Sequence, residues 1–361
     1  MTQNRPDVFF VPLEDNENPD SVERKTRLLF DEAGFQSIIN PSKSVAIKTH
    51  FGERGNRTHL TPDQIRPLVQ KVKEYGGKPF LTETSVLYKS NRSNALDHIL
   101  LAYEHGFTFE NVGAPIIMAD GFLGVWERKI TINGEFYDKV GIAGDAIAPD
   151  ALLIVSHATG HLLSGLGATI KNMGMGLSSR MGKLNQHSEV APKVDAALCD
   201  LCKTCIKWCP EDCILENDGA AFIQEEKCIG CGECLAVCKT GAVQFTWDAS
   251  SDNMQKKMVE HAYGVYLEKK DSMAYITFLT NMTKDCDCLK SKEKMVPDMG
   301  IMASFDPIAL DMATLDLTRQ RYQQNLSKLA YPDRNPMVQI DHGVKLGMGS
   351  KEYRLVEIKA S

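Results

Sequence analysis

Nine of the chain's eleven cysteines fall in the stretch from Cys199 to Cys238, and all of these but Cys213 are regularly spaced. The regular eight form two runs, Cys199, Cys202, Cys205, Cys209 and then Cys228, Cys231, Cys234, Cys238. Each run reads C-x2-C-x2-C-x3-C, and the second repeats the first at an offset of 29 residues. Three thiolates on one short loop can reach three irons of a single cubane. The fourth opens the next helix and points at the other cluster. The spacing therefore assigns one [4Fe-4S] cluster to Cys199, Cys202, Cys205 and Cys238, and a second to Cys228, Cys231, Cys234 and Cys209. Gly230 and Gly232 suit a loop whose backbone passes close to a cluster. Pro210 ends the first loop. Zinc is the competing ion, but paired zinc sites use C-x2-C pairs separated by longer gaps. Cys213 reads as a small buried hydrophobe.

The segment 196–247 resembles the bacterial two-cluster ferredoxin module over both runs. It departs at Lys239, where the module commonly carries proline. A segment this small cannot be held by apolar burial, so metal–thiolate bonds are expected to supply its fold. Trp208, Ile206, Ile214, Ile223 and Ile229 are expected to shield the clusters. Four lysines against eight acids make the segment acidic, which suits docking to a basic redox partner protein. Thiolates awaiting iron need a reducing compartment, so a cytoplasmic location is expected. The 361-residue chain has 41 Lys and Arg against 47 Asp and Glu, a net charge of -6. Without a basic block, nucleic acid is excluded as the main partner. No apolar run approaches the ~18 residues of a membrane span. The N-terminus lacks the pattern of an export signal.

Outside the cysteine runs, polar residues collect just after apolar strands, where an open α/β sheet places its ligand site. Lys48, His50, Glu53, Arg57 and His59 follow one strand. Glu83, Thr84, Tyr88 and Arg92 follow another, with His98 a helix turn on. Ser156, His157 and His161 follow a third. The stretch Gly160–Lys183 carries six glycines together with Lys171, Asn172, Arg180 and Lys183. Its small residues let backbone amides approach a ligand, and its cations suit a carboxylate or phosphate. It is neither a P-loop nor a dinucleotide fingerprint. His187 lies just beyond it. Cys286-Asp287-Cys288 would bind an additional metal ion, with His50, His157, His161 or His187 as further ligands, or act as a thiol site.

The elements that must position these residues alternate. Ser44–Phe51, Lys78–Thr84, Pro115–Asp120, Ala151–His157, Ala274–Met282 and Met299–Ala303 read as strands. Helices are expected after Thr61-Pro62, over Asn94–His105, over Asn253–Lys269 and from Asp306-Pro307. Asn133-Gly134 predicts a tight hairpin between Arg128–Ile132 and Glu135–Val140. The tail adds short strands near Val338–Asp341 and Tyr353–Ile358. This order predicts an α/β fold: a mostly parallel, Rossmann-like sheet with helices on both faces, plus a small inserted α+β ferredoxin-like module. The expected organisation is a core in two parts, 1–195 and 248–361, interrupted by the module at 196–247.

Nearly the whole chain resembles the domain-of-unknown-function family 362 in its iron–sulfur-bearing form. The resemblance rests on residues 48–62 (KTHFGERGNRTHLTP), 80–98, 118–124, 156–176, the cysteine module, 285–288 (DCDC) and 297–317. The chain departs at Ala158-Thr159, where members usually carry Phe-Lys, which removes one cationic contact. The resemblance implies cubane binding on an α/β core. Residues 55–69 are also similar in pattern to the N-terminal half of nickel-dependent lactate racemase, implying a Rossmann-like core and a small acid ligand. Taken together, we expect an iron–sulfur redox protein that moves electrons between two [4Fe-4S] clusters and a small anionic substrate or cofactor bound in the α/β domain. His50, His161 and Lys171 are its catalytic candidates; Lys48, Arg57 and Asn172 are its substrate-binding candidates. A ferredoxin-type carrier docking on a partner enzyme, and a metal-dependent non-redox enzyme with structural clusters, are the alternatives.

Overall fold

Alternation along the apolar strands divides the core in two. In the strand Ala151–His157, Leu152 and Ile154 enter one buried cluster, while Ala151, Leu153 and Val155 enter the other. Met273 and Tyr275 split from Ala274 and Ile276 in the same way, as side chains on a pleated strand must. The computed structural model describes residues 5–187, 191–245, 250–291 and 293–359. One eight-stranded sheet organises them: β1 Asp7–Pro12, β2 Ser44–Lys48, β3 Lys78–Glu83, β4 Ile116–Met118, β5 Ala151–His157, β6 Met273–Leu279, β7 Gly300–Ser304 and β8 Arg354–Glu357. The spatial order is β8-β1-β7-β6-β5-β2-β3-β4. Only β7 pairs antiparallel, to β1 and β6; the other neighbours run parallel. The fold is α/β, and the sheet draws strands from both sides of the cysteine segment.

Helices cover both faces. On one lie α1 (Pro19–Glu32), α2 (Pro62–Glu74) and α3 (Ala95–Glu104), burying Leu29, Phe30, Ile65, Leu68, Val72 and Ala102. On the other lie α4 (Thr169–Gly174), α5 (Arg180–His187), α6 (Ser251–Lys269), α7 (Pro307–Tyr322) and α8 (Met337–Lys345). There Met173, Met258, Ala262, Ile308 and Leu310 share one cluster. Thr61 starts α2 as the sequence predicts: its N–H donates to the Gln64 side chain at 2.9 Å, and Pro62 takes the first helical position.

Two sequence expectations are corrected. The hairpin strands are Glu127–Thr131 and Lys139–Ala143, joined by a longer connection than Asn133-Gly134 alone. Glu260 of α6 captures that connection, accepting from the backbone N–H groups of Glu135, Phe136 and Tyr137. Gly134 serves this close approach, since a Cβ there would lie 2.4 Å from the Glu260 carboxylate. The stretch around Val338–Asp341 is helix, not strand. Ile340 is fully buried and Gly343 packs on Ile308, contacts that a helical period provides and a strand would not.

The cysteine segment keeps its internal repeat in three dimensions. Helices Thr204–Trp208 and Glu233–Val237 stand 29 residues apart, as the cysteine runs do. So do the backbone turns: Leu201, Lys203 and Asp212 have positive φ, and so do Gly230, Gly232 and Gly241 at the equivalent positions. The loop geometry demands the left-handed conformation, and the second run meets it with glycine while the first does not. The module's expected limit at Trp247 lies outside the described residues.

Candidate functional site

The folded chain gathers eight of its cysteines around two small cavities. One cavity is lined by Cys199, Cys202, Cys205 and Cys238. A second is lined by Cys209, Cys228, Cys231 and Cys234. Backbone N–H groups already point at the sulfurs, Ala221 to Cys199 at 3.5 Å and Val243 to Cys238 at 3.4 Å. Burial would raise the Cys238 thiol, but the Val243 N–H and the Thr240 hydroxyl outweigh it and lower it. Among the described residues, no three His, Cys, Asp or Glu side chains close on a single ion. Four cysteines around each cavity, with left-handed residues in the loops between them, fit a cubane, whose ligands stand further apart than those of one zinc. Cys213 is buried, as its small apolar reading requires, but it also lines the second cradle, 3.4 Å from Cys209 Sγ.

A third cavity of about 150 Å³ opens at the carboxyl ends of β2, β3 and β5. Here the strand order reverses: the chain runs from β2 outward to β3 and β4, then returns to place β5 on the other side of β2. Lys48 ends β2, Glu83 ends β3, His157 ends β5, and Cys286, Asp287 and Cys288 come from the loop after β6. The glycine-rich stretch supplies His161, Lys171 and Asn172, and α5 supplies Lys183 and His187.

Several of these groups hold the wall together. Lys48 is buried and spends its three protons on Glu83 at 2.6 Å, Asn172 Oδ1 at 2.8 Å and the Thr49 carbonyl at 3.2 Å. Burial would raise the Glu83 carboxyl, but the Lys48 ammonium together with His50, His98 and Lys183 outweighs it and holds it down at about 2. Breaking a buried pair from one side leaves a stranded charge. Lys48→Met should therefore destabilise the core by about 3–5 kcal/mol in denaturant unfolding, and Lys48→Met combined with Glu83→Leu should recover most of that loss. A single variant as stable as the parent would contradict the pairing. Arg92 donates to Glu53 at 3.2 Å and to the Tyr88 hydroxyl, and its Nη1 lies 2.9 Å from His50 Nε2. Lys183 donates to Thr84 Oγ1 and the Ser85 carbonyl, and burial pushes its ammonium down to about 8.

The histidines differ in state. Both ring nitrogens of His157 meet acceptors, Asp287 at 2.9 Å and the Thr280 carbonyl at 2.7 Å, so the ring is an imidazolium that donates twice. Burial opposes that charge, but Asp287 outweighs it and raises the ring. His161 Nδ1 instead accepts from the N–H groups of Ser164 at 3.1 Å and Leu163 at 3.3 Å. That leaves the proton on Nε2 as a donor. A ring bound to metal through Nε2 would need the opposite tautomer. His161 is kept neutral by burial and by Lys171, and His187 is pushed down to about 3 for the same reasons.

Lys171 faces the cavity beside Cys286 and Cys288. Burial would lower its ammonium, but the two sulfurs outweigh that and raise it. Cys288 Sγ lies 3.5 Å from His50 Nε2, and Cys286 stands just across Asp287. The neighbouring Cys286, with Lys171, Arg92 and His50 nearby, holds Cys288 far below the usual thiol range, while Cys288 and burial push Cys286 up.

Residues 45–316 match the family described as Domain of unknown function (DUF362). The chain belongs to this family. Curated relatives match it over shorter stretches. A ferredoxin of Mycobacterium bovis is 34% identical over 53 residues, 15% of this chain and 46% of that protein. Pyruvate synthase subunit PorD of Methanothermobacter marburgensis is 35% identical over 83 residues, 23% of this chain and 95% of that protein. The chain spans about half the length of the ferredoxins it matches first. Among solved structures, the lactate racemase apoprotein of Thermoanaerobacterium thermosaccharolyticum aligns at a TM-score of 0.38 and 10% identity, over 75% of this chain and 50% of that one.

Of the candidate residues in this DUF362 protein, His50, His161, Lys171, Lys48, Asn172, Cys286 and Cys288 line one cavity. Arg57 does not: its side chain is exposed, because Asn56 turns the loop inward by accepting from the N–H groups of Thr58 and His59. One residue escaped the sequence reading. Asp311, buried on α7, accepts from the N–H groups of Thr169 and Ile170 at 2.8 and 2.9 Å. It thereby caps α4, the helix that carries Lys171 and Asn172. Its only sequence signal is an acid on the apolar face of a helix.

The second cradle stands against the cavity wall. A Cβ on Gly232 would lie 3.2 Å from Arg180 Cγ, and one on Gly230 would lie 3.4 Å from Asn185 Oδ1. Both contacts are on α5, which also presents Lys183 and His187 to the cavity. Arg180 is buried and donates to the carbonyls of Val86, Ser93 and Leu123. Lys89, next to the lining residue Tyr88, donates to the Lys239 carbonyl at 2.9 Å and ties the cysteine segment to the same wall. Among the described residues, no helix is long and apolar enough to cross a membrane.

Proposed function

We propose that this protein transfers electrons between two [4Fe-4S] clusters and a small anionic substrate held in the cavity. Iron–sulfur electron transfer is the coarse role that the ferredoxin and iron–sulfur subunit relatives support. The finer reading rests on one observation: the second four-cysteine cradle packs on α5, and the same helix lines a cationic cavity at the switch point of the sheet. In this reading residues 196–247 are the redox module, inserted between the core parts 1–195 and 248–361. Cys199, Cys202, Cys205 and Cys238 would hold one cluster, and Cys228, Cys231, Cys234 and Cys209 the other. These clusters supply one-electron transfer.

The chain's own residues do the rest. Lys171 binds the anionic group, because the other two cavity lysines are spent on the wall. His161 offers its Nε2–H to a substrate oxygen. His50, against Cys288, is placed to move a proton. Lys48, Asn172 and Asp311 position α4 and the strand ends.

The test is an anaerobic reoxidation screen. Photoreduced protein, freed of excess reductant, is mixed with small carboxylates and phosphates while cluster absorbance is followed. At least one anion should restore the oxidised spectrum. Lys171→Met should slow that reaction about a hundredfold, as expected for loss of a preorganised charge, whereas Arg57→Ala should leave it unchanged. Equal rates in Lys171→Met and the parent would remove the cavity from the reaction.

A second reading has its own observation. Trp208 and Ile229, beside the cysteine runs, are 46% and 52% exposed, and PorD is by name a subunit of a larger enzyme. In that reading the exposed apolar side chains dock a partner oxidoreductase. Stoichiometric complex formation without turnover of any small anion would favour it.

A further inference from the structure

We propose that Cys286 and Cys288 form a redox-active pair that reduces a small anionic disulfide bound in the cavity. The proposal deepens the electron-transfer reading and names its substrate class. Three observations carry it. First, both cysteines line the cavity, separated only by Asp287, and remain partly accessible from it. Second, the surroundings distinguish the two. Cys288 has His50 Nε2 at 3.5 Å and Arg92 beyond it, whereas Lys171 stands near both cysteines. A thiolate nucleophile beside a protonated partner is the arrangement that thiol–disulfide exchange requires. Third, the neighbouring groups are committed elsewhere. Asp287, between the two cysteines, is engaged by His157, whose ring donates at both nitrogens, and His161 Nδ1 accepts from Ser164. These groups orient the loop and leave the two sulfurs as its reactive atoms.

The chemistry balances as follows. Cys288 thiolate attacks one sulfur of the substrate R–S–S–R′, forming Cys288–S–S–R and releasing R′–S⁻, which takes a proton. Cys286 then gives up its proton and attacks Cys288 Sγ, forming the Cys286–Cys288 disulfide and releasing R–S⁻, which is protonated in turn. Two electrons from one-electron iron–sulfur donors, with one proton, return the pair to one thiol and one thiolate. In sum, one disulfide, two electrons and two protons give two thiols. Lys171 supplies the preference for an anionic R group.

The test uses the iron-loaded full chain without oxygen and reads the cysteines directly. Protein is mixed with 3,3′-dithiodipropionate or with cystamine, disulfides of similar size and opposite charge. It is then quenched by alkylation, and the peptide carrying Cys286 and Cys288 is weighed. The expected result is an internal disulfide that forms at least about tenfold faster with the dianion than with the dication, a preference lost in Lys171→Met. Cys286→Ser should accumulate the mixed disulfide on Cys288, and Cys288→Ser should not react. A pair that stays fully alkylatable with both reagents, or a mixed disulfide that builds up on Cys286, overturns the proposal. Failure of the electron route is separable. In that case the internal disulfide forms as described but survives photoreduction of the clusters, while dithiothreitol still opens it.

Discussion

Replacing Cys238 with alanine will release the iron held by Cys199, Cys202 and Cys205, and will spare that held by Cys228, Cys231 and Cys234, its neighbours in sequence. The expectation follows from the cavities, since Cys238 lines the first cradle and Cys209 the second. Double variants make the test sharp. Cys199→Ala with Cys238→Ala strikes one cradle twice and should keep about four of about eight irons, while Cys228→Ala with Cys238→Ala strikes both and should keep almost none. Iron and sulfide analysis with electron paramagnetic resonance reads the difference. The reverse pattern, with Cys199→Ala/Cys238→Ala losing almost all iron and Cys228→Ala/Cys238→Ala keeping about half, would mean uncrossed ligation. Cys238 is the better position for the test, because Cys213 Sγ lies 3.4 Å from Cys209 Sγ and is available to replace it.

Stripping the iron will unfold the cysteine segment and leave the large sheet standing. The buried cluster of that segment consists of Ile214, Ile223, Val243 and Ala221 with Cys205, Cys213 and Cys234. So few apolar side chains cannot offset the conformational entropy of ordering the segment, and metal–thiolate bonds must supply the difference. The α/β core has two large apolar clusters of its own on either side of the sheet. After anaerobic chelation, limited proteolysis should cut between 196 and 245 at least about a hundredfold faster than in the loaded protein, with fragments of the flanking core persisting. A segment as protease-resistant without iron as with it would show that its side chains fold it unaided.

The parts legible in the sequence are those fixed over short stretches. The gathering of the cysteines around two cavities follows from covalent spacing, and the parallel strands follow from runs such as Ala151–His157, which are buried on both faces. The cap at Thr61 and the helix from Asp306-Pro307 are local as well, and Asp306 accepts from the Ala309 N–H at 2.8 Å. What was not legible depends on partners far along the chain. Glu260 decides the shape of the 132–138 connection, and Asp311 caps a helix more than a hundred residues before it. Lys48 and Arg57 look equivalent as cations after a strand. Folding buries the first against Glu83 and Asn172 and turns the second outward through Asn56. The apolar run near Ile340 was too short for its period to distinguish strand from helix.

Iron-edge anomalous scattering from crystals grown without oxygen tests the central claim most directly. The account predicts about eight iron positions in two compact groups, one in the cradle of Cys199, Cys202, Cys205 and Cys238, the other in that of Cys209, Cys228, Cys231 and Cys234, with none at Cys286 and Cys288. One metal per cradle scattering at the zinc edge would contradict it.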